Sequence, residues 1–136
     1  MPIENDDILK NILKTSKTIA VIGASPKPWR DSGSIAQFLM KKGYKVFLVN
    51  PKYQEVLGEV CYPDLKSVPE KIDIVDVFRN SDAVGGIVSE AIEVGAKMVW
   101  MQLDVVNPEA ARRAEQAGLQ VVMDRCIAVE HRRLIR

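Results

Sequence analysis

The stretch AVIGASPKPWRDSGSIAQFL, Ala20 to Leu39, passes from an apolar segment through Gly23 into a polar loop and then into an apolar pattern of helical spacing. A Val- and Ile-rich run that feeds a helix is the first half of a βαβ unit, and repeated units of this kind build a parallel sheet. The connection is also long, about ten residues where a strand-to-helix link typically needs 2 to 6. Surplus length at the carboxyl end of a strand points to a ligand.

Working outward, the same alternation continues. The expected strands are TIAVIG (Thr18 to Gly23), KVFLVN (Lys45 to Asn50), IDIVDVF (Ile72 to Phe78), KMVWMQ (Lys97 to Gln102) and LQVVM (Leu119 to Met123). Between them, Ser34 to Lys42 carries Ile35, Phe38 and Leu39 at helical spacing and stops before Gly43. A second helix starts near Ser81 and Asp82 and presents Val84, Ile87, Val88, Ala91 and Ile92 on one face, with Gly95 closing it. A third has Asn107 as N-cap, Pro108 in its first turn and Gly118 just past its end. Residues 51–71 are irregular, with a short strand near Val56 and one helical turn around Asp64 to Ser67. The chain opens on a helix over residues 1–16 capped by Asp6 or Asn5, and CIAVEHRRLIR forms a terminal one whose cations suit the negative end of a helix dipole. No repeat or linker divides the chain, so residues 1–136 are expected to form one domain.

Composition narrows the function. At 136 residues the chain is long enough for one self-sufficient core. A formal net charge of +1 provides no field to recruit a polyanion, which argues against nucleic acid as a partner. No apolar run approaches the roughly 18 residues of a membrane span, and the N-terminus lacks a secretory pattern, so a cytoplasmic protein without membrane contact is expected. The 2 cysteines lack CxxC spacing, and with 1 histidine they leave no metal site and no catalytic triad.

In an open parallel sheet, ligands bind beyond the carboxyl ends of the strands, where the strand order reverses. The residues expected there are Gly23, Ala24 and Ser25 with Lys27, Arg30, Ser32, Gly33 and Ser34, then Asn50, Pro51 and Lys52, then Arg79, Gln102, Asp124, Arg125 and Cys126. A pyrophosphate needs close backbone amides and a helix N-terminus. Gly23, Ala24 and Ser25 supply the first, Ser32 to Ser34 the second, and Arg30 adds a bidentate grip. A dinucleotide site of the NAD type requires G-x-G-x-x-G and an acid closing the second strand, and neither is present. Lys52 stands where the acid would be. A cation there favours an adenosine with an extra ribose phosphate, which leaves coenzyme A or NADP.

The stretches VIGASPKPWRDS, VNPKY, DIVDVFR, MVWMQ and DRCIAVEHRRL resemble the small CoA-binding protein family, free-standing relatives of the N-terminal CoA-binding domain of the succinyl-CoA synthetase α-subunit. The resemblance runs from about residue 7 to 135. It implies a three-layer, Rossmann-like α/β fold with a five-stranded, mainly parallel sheet, helices on both faces and coenzyme A as ligand. It implies further that Gly23 to Ser25 and Arg30 to Ser34 lie at the pyrophosphate, that Asn50, Pro51 and Lys52 hold the adenosine end, and that Phe78, Arg79, Met101 and Gln102 line the walls. The synthetase also uses a phosphorylatable histidine and a nucleotide-binding partner chain. His131, in the charged setting VEHRRL, is expected to be a surface or helix-end residue rather than that histidine. The expected role is a CoA or acyl-CoA carrier, sensor or redox store without chemistry of its own. The alternatives are an NADP-dependent oxidoreductase, or a CoA-binding subunit completed by a partner enzyme.

Other side chains divide between packing and the site. Trp100 is expected in the core, and Trp29, in a polar loop beside Arg30, over the ligand or against a partner. Asp76 is expected to face the crevice mouth or bond loop amides. Cys61 and Cys126 are expected to pack as small hydrophobes. Either cysteine in reach of the ligand's sulfur would allow a mixed disulfide, and Arg125 would favour a thiolate at Cys126. The terminal helices and Trp29 are the surfaces available for a homodimer.

Overall fold

The computed structural model describes residues 1–135. Its chain order is α1 (Asp6–Thr15), β1 (Thr18–Ile22), α2 (Asp31–Lys41), β2 (Lys45–Val49), β3 (Glu55–Val56), β4 (Glu59–Tyr62), β5 (Ile74–Val77), α3 (Val84–Val94), β6 (Met98–Met101), α4 (Pro108–Gln116), β7 (Gln120–Val122) and α5 (Ile127–Leu134). The strands form a 7-stranded sheet in the order β3-β4-β2-β1-β5-β6-β7. All pairings are parallel except that of β3 with β4. The three-layer Rossmann-like architecture is therefore as expected, with two more strands than the five anticipated. The additions are β3 and β4, short strands that extend the β2 edge from within the irregular 51–71 segment.

Alternation along the strands sends side chains to two cores. Ala20, Ile22, Val75, Val77, Val99 and Met101 face α3 and α4, whereas Ile19, Val21, Leu48, Ile74, Met98 and Trp100 face α1, α2 and α5. Trp100 is fully buried, as expected of a core residue, and its indole N–H donates to the Arg125 carbonyl at 2.8 Å. That bond satisfies the one polar atom of the largest core side chain. It also holds the loop after β7 across the end of β6.

Helix ends follow local chemistry. The Asn5 side chain accepts from the Ile8 amide at 3.1 Å and the Asn107 side chain from the Ala110 amide at 3.0 Å, so both caps form as their residue types require. α2 begins at Asp31, three residues before the expected Ser34, because the cap residue Arg30 has no side-chain cap bond to announce it. The chain reverses direction across the sheet between β1 and β5. From β1 it moves outward through α2 to β2, and it then returns to β5 on β1's other side. No helix among the described residues is long and apolar enough to cross a membrane.

Candidate nucleotide crevice

The reversal places the carboxyl ends of β1 and β5 side by side. Gly23 follows β1 with φ +92°, and a Cβ at this position would lie 2.9 Å from Arg79 Cδ and 3.2 Å from the Phe78 carbonyl oxygen. Gly23 thus allows both the left-handed turn and the close approach of the two strand ends. Its amide and that of Ala24 donate to the Val49 carbonyl, at 2.9 and 3.3 Å, which ties the loop's start to β2.

The long loop is closed on itself. The Ser25 amide donates to Ser32 Oγ at 3.1 Å, and the Lys27 amide to Ser25 Oγ at 3.2 Å. The Asn50 side chain donates to the Ala24 carbonyl at 2.9 Å and accepts from the Lys52 amide at 2.9 Å. Ser32 is buried and serves as the loop's staple, while Ser34, whose hydroxyl donates to the Asp31 carbonyl, is exposed. The loop presents the first turn of α2 outward. The amides of Asp31, Ser32 and Gly33 have no intrahelical acceptor there, and they carry the partial positive charge of the helix end. Asp31 is the acidic residue of that turn.

Lys27, Arg30, Lys52 and Arg79 are all exposed, and among the described residues none is in an ion pair. Pro51, next to Lys52 in the chain, is exposed, and Phe78, which precedes Arg79, is half-buried. The predicted residues after β1, β2 and β5 therefore share one rim. Gln102 differs: it is 5 % exposed, and its Oε1 accepts from the Ile127 amide at 3.1 Å. It caps α5 from below and offers little surface to a ligand.

Three expectations need correction. Asp76 does not reach the crevice mouth or any loop amide. It is fully buried, with neither carboxylate oxygen hydrogen-bonded, and burial pushes its carboxyl well above the usual range. His131 sits in the last turn of α5, a helix-end position as expected, but it is not at the surface. It is 5 % exposed, edge-on to Phe38 and Tyr44 with ring centroids 5.5 and 5.8 Å away, and burial, followed by the charge of Lys42, lowers its basicity. Arg125 is not free to serve Cys126, since its guanidinium pairs with Glu130 at 2.8 Å. Glu130 also pairs with Arg133, which clamps Asp6 of α1.

The cysteines diverge. Cys61 is buried in β4, its thiol directed at the Asn50 carbonyl at 3.6 Å, and burial pushes that thiol up. Cys126 is half-buried at the N-cap of α5, in a groove of about 290 Å³ shared with Ser34, Ile35, Phe38 and Arg132. Sequence reasoning placed a short strand near Val56, where β3 lies, but missed β4 and the hairpin that joins the two. Its turn residues Leu57 and Gly58 have φ of 57° and 74°, a two-residue connection with both centres left-handed. Leu57 rests against Gly33, so this turn also borders the first turn of α2. The Leu57-Gly58 dipeptide was the available signal.

The uncharacterized protein YneT of Bacillus subtilis is 40% identical over 123 residues, covering 90% of this chain and 91% of YneT. A solved structure of a hypothetical protein from Pyrococcus horikoshii OT3 superposes with a TM-score of 0.95 at 44% identity, covering 100% of this chain and 97% of that one. Acetate–CoA ligase (ADP-forming) I of Archaeoglobus fulgidus is 30% identical over 123 residues, and the match spans 83% of this chain but 18% of the ligase. The family profile of the CoA binding domain matches residues 17–132, and the chain belongs to that family.

Proposed function

We infer that the protein binds coenzyme A or an acyl-CoA at the carboxyl ends of its parallel strands and performs no chemistry on it. The observation that carries this reading is the position of Lys52. It follows β2, where a dinucleotide site of the NAD type has an acid, and it stands on the same rim as Arg30 and the open amides of α2. A cation at that place suits a ribose phosphate, and the helix end suits the pyrophosphate. Membership of the CoA-binding family supports coenzyme A over NADP as the source of that phosphate.

The non-catalytic part rests on what surrounds the crevice. The one histidine of the chain, on α5, is buried edge-on against Phe38 and Tyr44. Asp76 is sealed in the core. The rim offers cations, amides and hydroxyls, which hold an anion but assemble no nucleophile and base. The match to a small part of the Archaeoglobus ligase supports a second reading, in which the domain supplies CoA to a partner enzyme.

Calorimetric titration with CoA, dephospho-CoA and NADPH tests the reading. Tightest binding of CoA, and weaker binding once the ribose phosphate is removed, is the expected order. Binding of NADPH with exclusion of CoA contradicts it.

A further inference from the structure

Two apolar side chains flank the open first turn of α2 and take no part in the polar rim. Trp29 directly precedes the cap residue Arg30 and is 72% exposed, although it is among the largest apolar side chains of the chain. The ammonium of Lys27 lies 5.7 Å from its ring centroid and so occupies one face of the indole. Leu57 is 39% exposed at the hairpin tip, held at φ 57° and seated with Cδ1 3.7 Å from the place a Gly33 Cβ would take. A leucine in the left-handed region is unfavourable by about 1–2 kcal/mol, so the hairpin carries a local cost that fixes this side chain at the crevice.

We propose that Trp29 and Leu57 form an aromatic and aliphatic clamp for the purine base of the nucleotide whose phosphates sit on the first turn of α2. The inference rests on the crevice being an adenosine-phosphate site. The occupant is argued from continuity with that site, because each clamp residue adjoins the amides that would hold the phosphates, Trp29 along the loop and Leu57 through Gly33. A flat base buries indole surface that is otherwise exposed, and stacking tolerates the loop's polar setting. The start of the loop that carries Trp29 is joined to the end of β2 by the Asn50 side chain, which donates to the Ala24 carbonyl and accepts from the Lys52 amide.

The chain's 2 tryptophans make the test direct, since Trp100 is fully buried and Trp29 alone is open to a quencher. Acrylamide quenching of tryptophan fluorescence is measured with CoA, NADPH, ADP and 4′-phosphopantetheine, on the wild type and on Trp29→Ala, Trp29→Phe and Leu57→Gly. The expected result is shielding of Trp29 by the base-bearing ligands and none by phosphopantetheine. Trp29→Ala loses CoA affinity by about tenfold, the size of one stacking contact, and Trp29→Phe restores most of it. Leu57→Gly, which relieves the turn and cannot unfold the chain through strain, weakens the same ligands. If CoA binds, Trp29 stays as quenchable as before and Trp29→Ala binds equally, the clamp is overturned and CoA binding stands. If NADPH or ADP shields Trp29 while CoA fails to bind, the clamp stands and the CoA reading falls. If no adenine nucleotide binds, both fall.

Discussion

The Ser25 amide donates to Ser32 Oγ at 3.1 Å, closing the loop after β1 into a ring whose outer edge is the first turn of α2. Ser32 is 3% exposed, so a lost acceptor leaves the Ser25 amide without its partner in a partly buried position. Ser32→Ala is expected to cost about 1–3 kcal/mol in denaturant unfolding and to weaken CoA through the loosened loop. Ser34→Ala, at an exposed hydroxyl, is expected to leave stability unchanged within about 0.5 kcal/mol. Equal unfolding midpoints for the two variants would show that the ring does not hold the loop.

Gly23→Ala tests the meeting of β1 and β5. The substitution adds a Cβ at φ +92° and 2.9 Å from Arg79 Cδ. Strain and crowding together predict a loss of about 2 kcal/mol or more, read from the unfolding midpoint. A neutral result would mean the two strand ends are free to part.

Asp76 and His131 set opposite limbs of the pH profile. Burial raises the Asp76 carboxyl above its usual value of 3.8, so its contribution is fully present below that value and is lost as pH rises through the raised one. Asp76→Val removes a buried group without partners and is expected to stabilise by about 1–3 kcal/mol at neutral pH, with the gain growing toward alkaline pH. His131 behaves in reverse. Its lowered basicity means that stability is present above 6.5 and is lost as pH falls through the lower folded value. Two cations already flank the neighbouring ring of Phe38, Lys42 at 5.6 Å and Arg132 at 4.7 Å, so a third charge finds no welcome. Burial also pushes Asp73 up, but amide donation from Lys17 and Thr18 and the charge of Lys97 outweigh it, so its limb lies below 3.8, apart from that of His131. Chemical unfolding across pH, with His131→Phe flattening the limb below 6.5, checks the assignment.

Native alkylation separates the thiols. Cys61 is sealed in β4 with its thiol raised by burial, while Cys126 borders an open groove. Iodoacetamide followed by peptide mass analysis is expected to modify Cys126 first, with Cys61 labelled only after unfolding. The reverse order would contradict the packing of β4.

Most of the fold was legible because its signals are strong and local. Asn5, Asn107 and Gly95 mark helix ends through side-chain acceptors or a left-handed cap, and the five central strands are apolar runs. The short strand near Val56 was legible as β3, but β4 was hidden because a strand of 4 residues with only Cys61 buried carries no periodicity to read. The site was legible as a rim but not as a set of roles. Ser32 and Gln102 have the chemistry of ligand donors, yet the loop and α5 use them for their own amides. His131 misled for a related reason, since its charged neighbours pair outward with Asp6 and lie over Phe38 while the imidazole itself turns into the core.

Lys52→Ala gives the most specific mutational prediction. Loss of the cation is expected to weaken CoA by about tenfold, roughly one charge-assisted contact, and to leave dephospho-CoA unchanged. An equal loss for both ligands would move the ribose phosphate elsewhere.

The identity of the ligand is read by native mass spectrometry of the freshly purified protein in an equimolar mixture of CoA and NADPH. A CoA adduct at the expense of NADPH is expected. An adduct that survives denaturation and disappears on reduction would add a mixed disulfide, with Cys126 the accessible partner. Retention of NADPH with CoA excluded would rule out CoA as the ligand of this crevice.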